Sequence, residues 1–309
     1  MDLYTLYHRT VECWADRVNA VRTDHWSDPT PCTDWDVRAL VAHVTGEDLW
    51  TAPLARGSTI AEVGDRFSGD VLGNRPVETA LAAAGNATRT VAEWLPAGGT
   101  VHLSYGEERL EEYVRQLAAD HLVHAWDLAV ATGTDRRLDP ALVHEVAAWF
   151  ADREGLYREA GAVAEAPGVP ADGAGDAQAR LLSAFGRDPA WGREHATLAR
   201  FSAAFGRGDV DAIMALMTDD CVFESTGPAP DGVRHEGAGA VRAVWEELFA
   251  DTGDAEFAEE ERFVAGGRGV LRWRFSWREP DGAPGHVRGV DVLRFRDGLV
   301  CEKLSYVKG

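Results

Sequence analysis

The hydrophobic periodicity of this 309-residue chain changes near residue 190, and the change limits the folds that it can adopt. Before that point, apolar residues recur every three or four positions, which is the period of an amphipathic helix. Further along, apolar and polar residues alternate, as they do on a strand with one buried face. Helices followed by a run of strands predict an all-α domain over 1–190 and an α+β domain over 195–309.

The first domain is predicted to be a helix bundle of the four-helix type with one long connection. Thr33 is expected to cap the helix that carries VRALVAHV, with Asp34 in its first turn and Asp36 as the capping-box acid. The Gly/Pro/Ala-rich stretch 160–175 has no periodicity and predicts a loop. The other predicted helices are 2–22, 76–95, 108–132, 140–157 and 174–186.

The second domain is predicted to begin with two helical pieces within 194–217. The sequence DDCVFES then predicts a strand, and 237–250 a further helix. A hairpin turn is expected at the sequence RDG, because Gly298 can adopt the positive φ that such a turn requires. The strand-rich runs that follow are 256–265, 269–279 and 286–307.

Composition excludes several classes of partner. The net charge of −20 and the pI of about 4.8 argue against nucleic acid. The four cysteines form no C-x-x-C pair, and their spacing indicates no disulfide framework. The chain shows neither a signal-peptide pattern nor an apolar run near the roughly 18 residues that span a membrane. We therefore expect a cytoplasmic protein without a membrane partner.

The apolar stretch DHLVHAWDLAVATG contains the strongest candidate for chemistry. Asp120 and His124 are four residues apart and share one helix face. His43 lies on the inward face of another predicted helix. Two histidines and a carboxylate can bind a divalent metal and leave one position open, as in catalytic sites. The alternative is that Asp120 caps or forms an ion pair, that the histidines are satisfied core residues, and that His121 faces solvent.

Three stretches of the first half, PTPCTDWDVRALVAHVTGEDLW, TVHLSYGEERLEEYVRQLAADHLVHAWDLAVATG and LLSAFGRDPAW, carry a family resemblance. They resemble the DinB-like metal-dependent family that includes mycothiol-dependent maleylpyruvate isomerase. The resemblance implies a divalent metal, usually zinc, bound by His43, Asp120 and His124, with Asp120 replacing the glutamate of the isomerases. It also implies that Asp127, a frequent aspartate of the family, supports the site by fixing a histidine ring N–H.

The same resemblance implies that the metal binds a low-molecular-weight thiol, with mycothiol as the possible co-substrate. Coordination lowers the pKa of the thiol, and the thiolate then adds to an electrophilic carbon. Arg38, Tyr105 and Arg115 are candidates for recognising the thiol at the rim of the pocket. The alternative is that these arginines are ordinary exposed helix residues.

The second half resembles a different superfamily through FSAAFGRGDVDAIMALMTDDCVFEST, HEGAGAVRAVWEELF and RGVDVLRFRDGLVCEKLSYVKG. These stretches resemble the SnoaL-like branch of the ketosteroid-isomerase and nuclear-transport-factor-two superfamily, which implies a curved antiparallel sheet forming a cone-shaped pocket. Asp291 matches the oxyanion aspartate of the steroid isomerases. The general base and the oxyanion tyrosine of those enzymes fall at Ser225 and Phe201. The catalytic candidates are therefore Asp291, His235 and Glu224, which directly precedes Ser225.

The strand predicted over 269–279 has two chemically different faces. One carries Arg272, Arg274 and Ser276, and the other carries Trp273, Phe275 and Trp277. An inward aromatic face predicts a site for an apolar or aromatic ligand, whereas the alternative is an ordinary core with solvated arginines. Polar residues such as His286 and Lys303 also alternate along these strands. The sequence does not decide which face turns inward.

Three functions follow from these observations. The leading hypothesis is a metal-dependent thiol transferase or isomerase that acts on a small electrophilic metabolite. Its SnoaL-like domain would assist substrate binding or form a homodimer. The first alternative is a SnoaL-like cyclase, isomerase or hydrolase of secondary metabolism that uses the bundle as a scaffold. The second is a non-catalytic protein that binds a metal or a small molecule.

Overall fold

A computed structural model describes residues 1–33, 35–163, 176–251, 255–279 and 282–308. The chain forms two compact units, Met1–Trp191 and Gly192–Gly309. Asp34, expected in a first helical turn, and 164–175, the main part of the predicted loop, lie outside the described residues. No helix among the described residues is both long enough and apolar enough to cross a membrane.

Unit 1 is a helix bundle with one small hairpin. α1, α2, α4 and α5 pack around a core that contains Trp14, Leu40, Val41 and Leu128. The hairpin β1–β2, which the sequence did not predict, leads directly into α5. The elements are α1 (Leu3–Asn19), α2 (Val37–Ala55), α3 (Ile60–Val63), α4 (Pro76–Trp94), β1 (Thr100–Leu103), β2 (Gly106–Arg109), α5 (Leu110–Thr132), α6 (Pro140–Phe150), α7 (Glu154–Glu159) and α8 (Ala177–Ala184).

The start of α2 differs from the sequence prediction by three residues. Asp36 is the N-cap, because its side chain accepts a hydrogen bond of 2.8 Å from the backbone N–H of Ala39. The prediction that Thr33 caps this helix, with Asp36 as its capping-box acid, is therefore wrong. The helix predicted over 140–157 is also divided into α6 and α7.

Unit 2 has the α+β architecture that the sequence predicted. Its six-stranded sheet has the order β4-β3-β8-β7-β6-β5, and only the β3–β8 pair is parallel among the described strands. The RDG turn joins β7 to β8, and Gly298 there has a φ of +78°, which confirms the predicted hairpin. The elements are α9 (Arg193–Gly206), α10 (Val210–Ala215), β3 (Met217–Glu224), β4 (Arg234–Glu236), α11 (Ala238–Asp251), β5 (Glu256–Ala265), β6 (Arg268–Arg278), β7 (Pro284–Arg296) and β8 (Leu299–Val307).

The aromatic face of β6 turns inward. Trp273 is buried and packs in the core with Phe201 and Trp245, while Phe275 packs against the same core. Arg272, on the other face, is exposed and forms an ion pair of 2.8 Å with Glu261. The inner surface of unit 2 is therefore aromatic and the outer surface is charged, which resolves the question that the sequence left open.

Candidate functional site

The three predicted metal ligands converge at one point of unit 1. Asp120 Oδ1 lies 3.2 Å from Nε2 of His124 and 3.5 Å from Nε2 of His43. One ligand atom from each residue falls within 4.8 Å of the others. Metal–nitrogen and metal–oxygen bonds of about 2.0–2.2 Å fit between atoms at such separations. The periodicity of α2 and α5 produces this convergence, because it directs all three side chains toward the same side of the bundle.

His124 is held in the orientation that a ligand requires. Its Nδ1 lies 2.8 Å from Oδ2 of Asp127, which is fully buried. An ionised carboxylate can only accept a hydrogen bond, so Nδ1 carries the proton and donates it. The other ring nitrogen, Nε2, consequently points at Asp120. A carboxylate behind a ligating histidine is the usual way in which proteins fix the ring of a metal ligand.

The residues present fit a divalent cation. Asp120 Oδ2 is a buried oxygen without a hydrogen-bond partner among the described residues. A buried acceptor of this kind is costly unless it is compensated, and a bound cation would compensate it. Two imidazoles and one carboxylate also form the borderline-soft N/O set that zinc accepts.

The ligands affect each other's ionisation. Burial opposes a charge on His124, but Asp120 and Asp127 outweigh burial and hold the pKa of the imidazole well above its ordinary value. Burial also opposes a charge on Asp120, but His124 and His43 hold the pKa of that carboxyl well below its ordinary value. These charges therefore favour a proton on Nε2 of His124, the atom that a metal would bind.

A cavity of about 710 Å³ opens in front of these ligands. Trp35 forms part of its wall, with its ring centroid 4.7 Å from that of His43. Glu47, one helical turn beyond His43, also lines it, and burial together with the charge of Asp120 raises the pKa of the Glu47 carboxyl. Neither Trp35 nor Glu47 was identified from the sequence as a site residue. The i, i+4 spacing of His43 and Glu47 could have identified Glu47.

His121 is excluded from the ligand set by its own contacts. It is fully buried, so the alternative in which it faces solvent is wrong. Its Nδ1 lies 2.7 Å from the carbonyl oxygen of Leu117, and its Nε2 lies 3.2 Å from Oδ1 of the buried Asp48. Burial raises the pKa of Asp48, and His121 partly offsets that effect. The pair is a polar element of the bundle interior.

Two of the three candidates for thiol recognition lie together. Tyr105 and Arg115 line a second cavity of about 1190 Å³, which shares Gln116 and Tyr157 with the cavity of the metal ligands. Arg38 lies elsewhere, because its guanidinium donates to Asp70 and to the carbonyl of Gly73 at 2.9 Å. The expectation that Arg38 lies at the pocket rim is therefore wrong: a neighbouring carboxylate holds it outside both cavities.

Unit 2 contains a cavity of about 700 Å³ with aromatic walls. Phe275, Trp277 and His235 line it, together with aliphatic residues of α11. His235 stands opposite Phe223 on the neighbouring strand, with ring centroids 6.1 Å apart. His235 is the only one of the three proposed catalytic residues that lines this cavity among the described residues.

The other two candidates of unit 2 lie apart from that cavity. Asp291 is 2% exposed, and its Oδ1 forms an ion pair of 3.0 Å with the equally buried Lys303. Glu224 lies on the strand face opposite to the inward-facing Phe223 and is 3.9 Å from Arg234. His286 and Arg272 lie on the outer face of the sheet, whereas Asp291 and Lys303 form a buried polar pair on its inner side.

Two family models match separate parts of the chain. Residues 7–129 match the family model of the mycothiol maleylpyruvate isomerase N-terminal domain. Residues 198–303 match that of the SnoaL-like domain. The chain is 31% identical over 150 residues to the uncharacterized proteins Rv0738 and MT0763 of Mycobacterium tuberculosis, covering 47% of this chain and 75% of either relative.

Solved structures are similar to part of the chain. An NTF2-like protein of unknown function from Mesorhizobium loti is 39% identical, covering 38% of this chain and 92% of its own, with a TM-score of 0.34. A putative SnoaL-like polyketide cyclase from Jannaschia sp. CCS1 is 22% identical, covering 40% of this chain and 90% of its own, with a TM-score of 0.34. The chain belongs to the mycothiol maleylpyruvate isomerase N-terminal domain family and carries a SnoaL-like domain after it.

Proposed function

We propose that this protein is a metal-dependent thiol transferase or isomerase that acts on a small electrophilic metabolite. The observation that carries the proposal is the convergence of His43, Asp120 and His124 on one point that opens into a cavity. The membership of unit 1 in a family named for mycothiol and an isomerase supports it. A closed structural site would have a fourth protein ligand, whereas a cavity on the fourth side leaves room for a reactant.

A divalent ion at these three ligands, most suitably zinc, would supply the positive charge that stabilises a thiolate at neutral pH. The remaining work belongs to the chain. Trp35 and Tyr113 line the cavity and limit the access of water. Glu47 faces the same space, and its raised pKa lets its carboxyl hold a proton to higher pH than an exposed glutamate does. When a thiolate adds to one carbon of an electrophile, the displaced electron pair moves to the neighbouring atom, and we assign to Glu47 the transfer of its proton to that neighbouring atom.

The adjoining cavity is the proposed site for the body of the thiol, with mycothiol as the candidate co-substrate. Tyr105 and Gln116 exchange hydrogen bonds of 2.7 and 3.1 Å between the phenol oxygen and the amide group, and Gln116 lines both cavities. Arg115 lines the same cavity and is without an ion pair shorter than 4.0 Å among the described residues. These groups can donate hydrogen bonds to a polar ligand whose sulfur lies near His43.

Metal loading tests this proposal. The metal-stripped protein should bind one Co²⁺ per chain, and an added low-molecular-weight thiol should produce a sulfur-to-cobalt charge-transfer band. His43→Ala should lose both signals, because it removes a ligand. His102→Ala is the matched control, since this histidine lies on β1 and pairs with Glu107 outside the ligand set. Equal loss in both variants, or no stoichiometric binding by the native protein, would reject the site.

The pH dependence of metal binding provides a second test, because the direction of the change in affinity can be predicted. Because Asp120 and Asp127 raise the pKa of His124, the proton on Nε2 is held more firmly than on a free imidazole, and the metal must displace it. The affinity for Co²⁺ should therefore rise with pH and fall in acid. An affinity that does not change with pH between about 6 and 8 would contradict His124 as a ligand.

A second candidate function rests on unit 2. The cavity with Phe275, Trp277 and His235 suits an apolar or aromatic ligand, as a cyclase, isomerase or hydrolase of secondary metabolism would require. His235 and Glu247 line this cavity and are the groups that could exchange a proton with a ligand there. A protein that binds a metal or a small molecule without turnover would load Co²⁺ and thiol but convert no electrophile.

We also propose that the protein is a homodimer that pairs through the outer face of the unit 2 sheet. Tyr306 is 50% exposed there and stands opposite Val290, which gives this charged face an apolar patch. Tyr306→Asp should convert the dimer to a monomer in sedimentation velocity, because the aspartate would bury a charge at the contact. Tyr4→Asp, an exposed position of unit 1, should leave the dimer intact. A monomeric native chain would reject this part.

A further inference from the structure

Arg187 connects the chain just after α8 to the metal ligands. Its Nη2 donates to Oδ2 of Asp127 at 2.9 Å, and its Nε lies 3.3 Å from both carboxylate oxygens. The same Nη2 lies 3.1 Å from Sγ of Cys32. Asp127 Oδ2 in turn accepts the hydrogen bond from Nδ1 of His124. One carboxylate oxygen therefore joins the guanidinium to the imidazole.

We propose that Arg187 is a positioning residue for the metal ligand His124, which it orients through Asp127. The inference rests on the proposed function, since it assigns a role at the same site. Asp127 has no exposed surface, so the direction of its carboxylate depends on its protein partners. The planar guanidinium contacts both oxygens, and a fork of this kind fixes a carboxylate more firmly than a single hydrogen bond does. The direction of the carboxylate then fixes the plane of the His124 ring.

Cys32 contacts both Arg187 and Asp127. Its Sγ lies 3.5 Å from Oδ2 of Asp127 and faces Nη2 of Arg187. The guanidinium is therefore held between a thiol near the start of the chain and a carboxylate on α5. This arrangement opposes rotation of the arginine away from Asp127, and it explains why a residue 60 positions beyond Asp127 can affect the metal site.

Arg136 provides a control for a merely structural role. Its Nη2 donates to the carbonyl oxygens of Pro189 and Trp191, at 3.0 and 2.7 Å. It therefore secures the same segment of chain as Arg187, but none of its described contacts is with Asp127 or a metal ligand. If Arg187 only attached this segment to the bundle, removing either arginine would have the same effect on the metal.

The test compares Arg187→Gln with Arg136→Gln in the full chain. Arg187→Gln should weaken Co²⁺ binding, measured by chelator competition, by about 10–100-fold, and should alter the visible d–d spectrum of the bound ion. Arg136→Gln should leave both unchanged. Arg187→Lys should recover only part of the affinity, because an ammonium cannot contact both oxygens at once. Native affinity and spectrum in Arg187→Gln, or equal losses in the two glutamine variants, would overturn the inference.

A double variant covers the case in which Arg187→Gln fails to fold. Removing both charges in Arg187→Gln/Asp127→Asn leaves no unpaired charge in the interior, so this protein should fold. If Arg187 acts through Asp127, the double variant should bind Co²⁺ as well as Asp127→Asn alone. A further loss of more than about tenfold would reject the route through Asp127. Failure of the native chain to bind Co²⁺ would instead reject the proposed function itself.

Discussion

Replacing His124 by alanine should reduce thiol-dependent turnover by at least about 10³-fold while unit 1 stays folded. Metal-ion catalysis contributes several kcal/mol to transition-state stabilisation, and about 1.4 kcal/mol corresponds to tenfold in rate. The variant removes Nε2, which lies 3.2 Å from Asp120 at the centre of the ligand set. Turnover with and without added thiol, together with Co²⁺ binding, measures the loss.

The fold should survive because Arg187 still pairs with Asp127. Asp120 loses the contact with His124, but its Oδ1 retains the contact of 3.5 Å with Nε2 of His43. An open catalytic site also contributes less to folding than a closed structural one. Circular dichroism of His124→Ala should therefore retain the helical signal of the native protein.

The matched variant lies in unit 2. His235→Ala removes the histidine of the aromatic cavity and should leave thiol-dependent turnover within a few-fold of native, since the proposed chemistry belongs to unit 1. If instead unit 2 carries an acid–base reaction, the loss should be about 10²–10⁴-fold. Full activity after chelation or in His124→Ala, combined with an inactive His235→Ala, would replace the leading proposal by the SnoaL-like one.

The helical part of the candidate site could be predicted because its geometry is local. Four-residue spacing places Asp120 and His124 on one face of their helix. The apolar pattern around His43 predicts that this histidine points into the bundle from another helix. Arg187 could not be found in this way, because its contacts with Asp127 and Cys32 join residues 60 and 155 positions apart. Only the tertiary fold brings such residues together.

Individual partners account for the errors. Arg38 was expected near the thiol, but Asp70, 32 residues away, holds it outside both cavities. Alternation along β6 identified two faces, but it carried no information about which face meets α9 and α11. For Asp291, the family resemblance suggested a proton-carrying role, and no sequence pattern indicated that Lys303 would lie 3.0 Å from it. In each case a partner distant in sequence decides what the residue can do.

Lys303→Met should destabilise unit 2 by about 3–5 kcal/mol, because it leaves the charge of Asp291 buried without its partner. Both side chains are 3% exposed. The lysine Nζ donates to Ser305 Oγ at 2.7 Å, and that hydroxyl donates to Asp291 Oδ1 at 2.6 Å. The ammonium also lies 4.9 Å from the ring centroid of Phe223. Hydrogen exchange of β7 and β8 peptides and denaturant unfolding of the full chain measure the loss.

The double variant Lys303→Met/Asp291→Leu separates the value of the pair from the cost of breaking it. With both charges replaced by apolar groups, most of the lost stability should return, since a buried ion pair and apolar residues of similar size are often equivalent. A Lys303→Met protein as stable as the native one would show that Asp291 does not depend on Lys303.

Because this pair is an internal support of unit 2 and does not line its cavity, Asp291→Asn should lower thiol-dependent turnover only as far as it lowers the folded fraction. A loss of about 10²-fold or more in a fully folded Asp291→Asn protein would instead assign this carboxylate a direct part in the reaction.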